Sequence, residues 1–378
     1  MPNLKILLIT ASYLPNIGGL QTITAALASD LQGRGHTVWV ITNRYPRRLP
    51  ASEQLDGISV WRWFFIWPRL RWFAHGRPDL FLASLLAAPL IFARLLWTLA
   101  RLRPDVVNLH FVGAAAPFVL AAHWLARFRL VVSLHGDDVL SVPRGTWFDR
   151  WVFRTALRRA DAVTACSYNL RTRAAQLVPA GATNLFVIHN GIQLGQFPAR
   201  VEASPRVVVV GRLVSIKGFD VLLQAWAASR ISRRLNTLAI IGDGPEQRAL
   251  DQLTLELGLE GEVCFFGRQG HAQALQSMAT SRFVVIPSRQ EPFGMVALEA
   301  MAAGRPIVAT RTGGLSEILD GAEAILVAPN DPAALAGAMD DMAARLEREP
   351  HYGWRNREYV ERFSLERMVD QYLALYVG

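Results

Sequence analysis

Phe283-Val-Val-Ile-Pro287, then Glu291-Pro-Phe-Gly-Met-Val-Ala-Leu-Glu299, then Arg305-Pro-Ile-Val-Ala-Thr310: these three stretches, in that order, decide the fold. The first and third are short β-branched runs with no polar alternation, the pattern of parallel strands buried on both faces. Between them, Pro292 and Gly294 punctuate a turn, and the apolar run from Met295 to Ala303 reads as a buried helix. Gly304 supplies its stop and Pro306 opens the next segment. Strand, loop, helix and strand make a βαβ unit, whose loop falls at the strand's carboxyl end, where open α/β sheets take ligands. Glu291 precedes the helix and Glu299 lies on its first turns, with unpaired backbone N–H groups between them. Such a site offers two acceptors for sugar hydroxyls and a partly positive helix end for a phosphate. Two glutamates alone would read equally well as solvated charges at a helix start; the flanking strands lift the functional reading.

Working outward, the same alternation fills the chain. Strands are expected at 4–10, 37–42, 58–63, 106–110, 130–135, 162–166 and 185–188 in the first half. Helices are expected at 21–32, 80–102, 114–126, 147–160 and 169–177. In the second half, strands are expected at 206–210, 238–241, 263–266, 283–286, 306–309 and 324–327. The polar, proline-punctuated segment 195–205 reads as a linker. The expected architecture is therefore α/β, with two Rossmann-like doubly wound parallel-sheet domains facing across a cleft. The domains run 1–195 and 196–360, with a terminal helix over 361–378 returning to the first.

Composition narrows the partners. Lys plus Arg number 40 against 31 Asp plus Glu, a net charge of +9, spread mostly as Arg without a long basic run. That distribution argues against a nucleic-acid tail and leaves anionic lipid or phosphorylated substrates. Cys166 and Cys264 have no metal-ligand spacing, so a reducing cytoplasm is the simpler expectation. The opening residues 1–10 read as a strand rather than a signal peptide.

Further motifs sit at strand ends. Gly211-Arg212-Leu-Val-Ser-Ile-Lys217-Gly218 brings a planar fork and a point charge into one loop, a natural pair for a diphosphate. Ser12-Tyr-Leu-Pro-Asn-Ile-Gly18-Gly19 joins the first strand to the first helix, and its glycines let backbone N–H groups approach a phosphate. Thr42-Asn43 stands where a dinucleotide fold needs an acid, which excludes a nicotinamide site. His135-Gly136-Asp137-Asp138 ends another strand, and His135 there either hydrogen-bonds a substrate hydroxyl or is held structurally by its neighbours. His110 is structural or acceptor-facing, and Asn190-Gly191 reads mainly as a turn. Gly242-Asp-Gly-Pro245 walls the site or reverses the chain. Zinc signatures, a nucleophile elbow and a Walker loop are all missing from the sequence.

Together, the Gly18-Gly19 loop, His135-Gly136-x-Asp138, Asn190-Gly191, Arg212 with Lys217, Gly242 to Pro245, and Glu291 to Glu299 resemble the retaining nucleotide-sugar glycosyltransferases of the GT-B fold, family four (group one). The resemblance spans nearly the whole chain, and the Arg212–Lys217 and Glu291–Glu299 pairs are its specific parts. It implies that Arg212 and Lys217 hold the donor diphosphate, Glu291 the sugar hydroxyls and Glu299 the nucleotide ribose. Backbone N–H groups of Phe293, Gly294 and Met295 would contact the sugar, those of Gly18 and Gly19 phosphate, and Arg268 would lie by the base. His135 would meet the donor sugar, with His110, Asp138 and Asn190 on the acceptor side. The implied reaction is hexosyl transfer to a glycan or lipid-linked acceptor with retained configuration, needing no metal and no cofactor, in cell-envelope or polysaccharide biosynthesis. Competing expectations are a sugar-nucleotide epimerase or hydrolase on the same scaffold, and a non-catalytic scaffold of an assembly complex. A nucleic-acid binder rests on charge alone.

One segment stands apart. Residues 61–73 hold seven aromatics and three arginines, and 80–100 are mostly apolar. A bilayer crossing is disfavoured by Pro89 and by Arg94, at roughly 2.5–3.5 kcal/mol for a mid-membrane arginine. Two readings stay open for 61–103: a core helix of the first domain, or attachment to an anionic membrane surface on the cytoplasmic side.

Overall fold

A computed structural model describes residues 3–16, 18–68, 78–178, 184–197 and 202–378. The chain divides into two compact units, Met1–His189 with Met368–Gly378, and Asn190–Arg367. The expected linker at 195–205 falls partly outside the described residues, as does the 61–73 segment beyond Pro68. The C-terminal unit starts a few residues before the expected position for a physical reason. Ile192 donates to the Phe363 carbonyl at 2.9 Å and accepts from Leu365 N–H at 3.0 Å, which ties 190–192 to residues far along the chain.

In the C-terminal unit six parallel strands form one sheet. They are β9 (Arg206–Val210), β10 (Thr237–Ile241), β11 (Val263–Phe265), β12 (Phe283–Ile286), β13 (Ile307–Thr310) and β14 (Ala324–Val327). Their order is β11-β10-β9-β12-β13-β14. From β9 the chain winds one way to β10 and β11, then returns to place β12 on the other side of β9. The crevice between β9 and β12 is thus the topological switch point, where loops diverge and ligands bind. Helices Phe219–Ala228 and Pro332–Arg348 pack together over this sheet, burying Trp226, Phe219, Leu335, Met339 and Met342.

The N-terminal unit holds eight strands: β1 (Lys5–Thr10), β2 (Thr37–Asn43), β3 (Ser52–Leu55), β4 (Ile58–Trp63), β5 (Val106–His110), β6 (Arg129–Leu134), β7 (Ala162–Ala165) and β8 (Leu185–Val187). Their order is β3-β4-β2-β1-β5-β6-β7-β8, all parallel except β3, which runs antiparallel to β4. Sequence reading missed β3. Its signal is Asp56-Gly57, both at positive φ (49° and 80°), the dipeptide of a two-residue hairpin turn.

The terminal helix is shorter than the expected 361–378: a 3-10 turn over Val360–Phe363 precedes the α-helix Leu365–Val377. It docks on the N-terminal sheet through buried hydroxyls as well as apolar side chains. Asn108 Nδ2 donates to Tyr376 Oη at 2.7 Å, Tyr372 Oη to Ser133 Oγ at 3.2 Å, and Ser133 Oγ to Asn108 Oδ1 at 3.0 Å. Burial raises both tyrosine pKa values, so these hydroxyls stay neutral.

Candidate active site

In the C-terminal unit Arg212 and Lys217 follow the carboxyl end of β9 and Glu291 follows that of β12, the strands that flank the switch point. Lys217 Nζ donates to Glu291 Oε2 at 2.5 Å, although 74 residues separate them. Ser288 Oγ donates to the same oxygen at 3.3 Å. Both charged groups are mostly buried, with 24% and 12% of their side chains exposed. A pair this shielded interacts more strongly than a surface ion pair and holds its geometry.

The loops are stapled together by residues that sequence reading did not single out. Arg289 forms a two-pronged pair with Asp220 at 2.7 and 2.6 Å, and also donates to the Ser215 carbonyl at 2.6 Å. Its own N–H donates to the Ile216 carbonyl at 2.8 Å. Arg289 drives the Asp220 carboxyl below its usual range. The available signals were local: Asp220 in the first turn of a helix and Arg289 two residues before Glu291.

Two glycines make the close approach possible. Gly218 has φ 67°, and a Cβ there would lie 2.2 Å from the Pro287 carbonyl oxygen. Gly313 has φ 51°, and a Cβ there would lie 2.1 Å from the Glu291 carbonyl oxygen, which instead accepts from Gly314 N–H at 3.0 Å. A third loop, after β13, is thereby pinned to the back of Glu291.

Arg212, on the β9 loop, is exposed, and its guanidinium has no partner among the described residues. A rigid cation–carboxylate pair beside an uncommitted arginine leaves positive charge available to an incoming anion. Phe293 is buried at the N-terminal edge of helix Met295–Ala302, and Gly294 is its N-cap at φ 116° with no side-chain cap. The first N–H groups of this helix therefore lack an internal acceptor. Glu299 lies about one turn in, with 13% of its side chain exposed and His271 Nδ1 3.8 Å away. Burial pushes the Glu299 carboxyl up to about 8 and lowers the His271 pKa. Arg268 and Asp243 form an exposed two-pronged pair at 3.1 and 3.2 Å, joining the ends of β10 and β11. Asn190 is buried at the start of this unit.

The N-terminal unit carries the remaining residues on its own strand ends. His110 ends β5 and His135 follows β6, and their rings stack with Nδ1 of His110 3.0 Å from Nε2 of His135. Burial holds the His135 pKa down at about 4 and that of His110 well below its usual value, with mutual repulsion adding to the latter. Two neutral rings then share one proton, and His135 presents a half-buried face. Asp138 was expected on the acceptor side; here it is buried, and its oxygens accept from the backbone N–H groups of Val112, His135 and Gly136 at 3.3, 3.1 and 2.8 Å. Despite those bonds, burial raises its pKa to about 6. Its carboxylate therefore positions the His135 loop. Gly18 is the N-cap of helix Gly19–Gly33, which has no side-chain cap and no acid in its first turn.

Two doubly wound parallel-sheet units, each with its candidate residues at strand ends, have the architecture of the GT-B class of fold. Residues 17–196 match the family described as Glycosyltransferase Family 4, and residues 204–345 match Glycosyl transferases group 1. The D-inositol 3-phosphate glycosyltransferase of Frankia alni is 30% identical over 384 residues, covering 90% of this chain and 88% of that protein. The N-acetyl-alpha-D-glucosaminyl L-malate synthase of Bacillus anthracis is 27% identical over 384 residues, covering 96% and 94%. Among solved structures, Anabaena HepE in complex with UDP-glucose superposes with a TM-score of 0.77 at 24% identity, covering 98% of this chain and 99% of that one. The chain belongs to the group 1, family 4 glycosyltransferases, and it is an enzyme of that class.

Proposed function

We propose that the protein transfers a hexosyl group from a nucleotide-diphosphate sugar to a glycan or lipid-linked acceptor, with retention of configuration, in cell-envelope or polysaccharide biosynthesis. The observation that carries this reading is the Lys217–Glu291 contact at the switch point, with Arg212 uncommitted beside it. Arg212 and Lys217 would take the diphosphate and stabilise charge as the leaving group departs, the kind of preorganised electrostatics that dominates such catalysis. Donor binding would let Lys217 turn toward phosphate, freeing Glu291 to accept from sugar hydroxyls. N–H groups of Phe293, Gly294 and Met295 would meet the sugar, Glu299 the ribose, and Arg268 the region of the base. From the N-terminal unit, Gly18 and Gly19 would offer N–H groups to phosphate and His135 a polar ring to the sugar.

Two cations in the site supply the positive charge that the leaving phosphate needs, which supports a reaction independent of metal and of any cofactor. The relative from Bacillus anthracis carries a glucosaminyl-malate name, and HepE binds UDP-glucose; both names fit a nucleotide-sugar donor here. A cytoplasmic location would fit such a donor and a chain with only two cysteines in 378 residues.

Lys217→Ala and Glu291→Ala are expected to keep the fold and lose roughly 10²–10³-fold in turnover. The assay is transfer from a panel of nucleotide sugars with saturating donor, run with and without EDTA, and with the anomeric configuration of the product read by NMR. Wild-type turnover in either variant would sink these assignments. An inverted product would sink the retaining mechanism, and loss of activity with EDTA the metal independence.

A further inference from the structure

Helix Pro78–Leu102 is not a core helix: of its 25 residues only Ser84, Leu95, Thr98 and Leu99 are buried. An 18-residue stretch of it reaches a mean hydropathy of 2.0, although little of that stretch is buried. Leu82, Leu86, Leu90 and Trp97 form one exposed stripe at helical spacing, with Leu86 74% and Leu90 72% exposed. Helix Ala116–Leu125 packs beside it, and helix Trp147–Arg159 beside that one. These neighbours continue the pattern with exposed Trp124, Trp147 and Trp151. Twelve of the nineteen exposed large apolar side chains among the described residues fall between Phe64 and Trp151. Patches of this extent on a folded surface mark an interaction face.

Charge identifies the partner. Residues 61–160 contain fourteen arginines, no lysine and five acids, a net of 14 − 5 = +9, equal to that of the entire chain. Exposed Arg94 lies over the Trp63 ring at 4.5 Å, and Arg101 over Trp97 at 5.3 Å, so cations stand among the apolar groups. A cavity of about 500 Å³ opens against the same helix, lined by Arg47 and Arg94 together with Trp63, Phe64, Ile66 and Ile91. Indole rings, leucines and arginines interleaved on one layer match the boundary between acyl chains and anionic headgroups. A protein partner would need a matching acidic and apolar surface; a bilayer supplies both by construction.

We infer that the outer face of helices Pro78–Leu102, Ala116–Leu125 and Trp147–Arg159 docks on an anionic lipid bilayer. The long helix lies on the surface rather than crossing it. Leu95 and Leu99 are buried in the unit's core, and after a three-residue connection β5 enters the middle of the sheet. Docking stands on these residues independently of the transfer chemistry.

Flotation tests it, using the full chain purified without detergent and vesicles of phosphatidylcholine alone or mixed equally with phosphatidylglycerol. Wild type is expected to float with the anionic vesicles at low salt. Pure phosphatidylcholine should bind more weakly, by about fivefold for each cation engaged. Leu86→Asp with Leu90→Asp, both fully on the surface, should lower the floated fraction by about tenfold or more with an unchanged circular dichroism spectrum and Tm. Wild type left in the bottom fraction overturns the inference, as does a double variant that floats equally well. A detergent-free dimer that the double variant converts to monomer also overturns it, because a second copy then covers this face.

Discussion

Glu299→Gln separates the electrostatics of the site from its shape. Glutamine keeps the size and one acceptor oxygen of the acid but cannot ionise. In the folded chain burial raises the Glu299 pKa from the usual 4.5 to about 8, whereas the unfolded chain titrates near the ordinary value. Between those limits the folded state holds one more proton than the unfolded state, so stability falls as pH rises. Each unit is worth about 1.4 kcal/mol, and 8 − 4.5 = 3.5 units set a ceiling of roughly 5 kcal/mol. Above about pH 8 the folded protein carries the whole penalty, and below about 4.5 none of it. The variant should therefore match wild type at pH 5 and exceed it by several kcal/mol at pH 8.5. His271, 3.8 Å away, has a pKa lowered by burial and costs stability on the acidic side in both proteins. It cancels to first order in the difference, and His271→Asn in both backgrounds checks that cancellation. Thermal melts of the C-terminal unit's transition from pH 5 to 8.5 provide the readout, at about 2–4 °C per kcal/mol for a unit of this size. Parallel pH slopes for the two proteins would refute the buried-acid account. So would a variant less stable than wild type at pH 8.5.

Gly218→Ala should displace the β9 loop from the Pro287 carbonyl, with a cost of roughly 1–3 kcal/mol from the left-handed backbone alone. Turnover should fall with Lys217→Ala, and an active variant with an unchanged Tm would show that the close approach is dispensable. Tyr376→Phe should leave Asn108 Nδ2 buried without its 2.7 Å acceptor, costing about 1–3 kcal/mol in urea unfolding of the N-terminal unit. No change there would mean that apolar contacts alone seat the terminal helix.

The parts of this fold legible in the sequence were those encoded by local pattern. β9 and β12 fall at the expected 206–210 and 283–286, because their valine and isoleucine runs are buried on both faces and leave little polar alternation to blur their limits. β3 was missed although Asp56-Gly57 carries a hairpin signal, since Ser-Glu-Gln-Leu shows little β-branched character of its own. At the site, strand-end placement was enough to nominate Arg212, Lys217, Glu291 and Glu299. The Arg289–Asp220 staple was not legible, because it joins residues 69 apart whose meeting depends on the strand order. Asp138 shows the complementary limit. An acid beside a histidine at a strand end looks like chemistry, and only the three backbone donors around it reveal a structural cap. Helix Pro78–Leu102 was legible as a helix at 80–102, but the face it turns inward was not. A segment apolar on every side has no periodicity to say which face is inward.

The switch point also explains why the Lys217–Glu291 constellation resists drift. β9 and β12 are hydrogen-bonded neighbours, so the loops leaving them start next to each other, and Lys217 and Glu291 need no flexible reach to meet. Each loop is then held from a separate side: Gly218 against Pro287, Arg289 against Asp220, and Gly313 against Glu291. Loops fixed in this way need no ordering when the ligand arrives, so binding energy is left for turning and holding the reacting side chains. Arg212 is the exception: exposed and without a partner, it must be ordered on binding. Hence it is the residue whose replacement by lysine should weaken donor affinity most while leaving the Lys217–Glu291 contact intact.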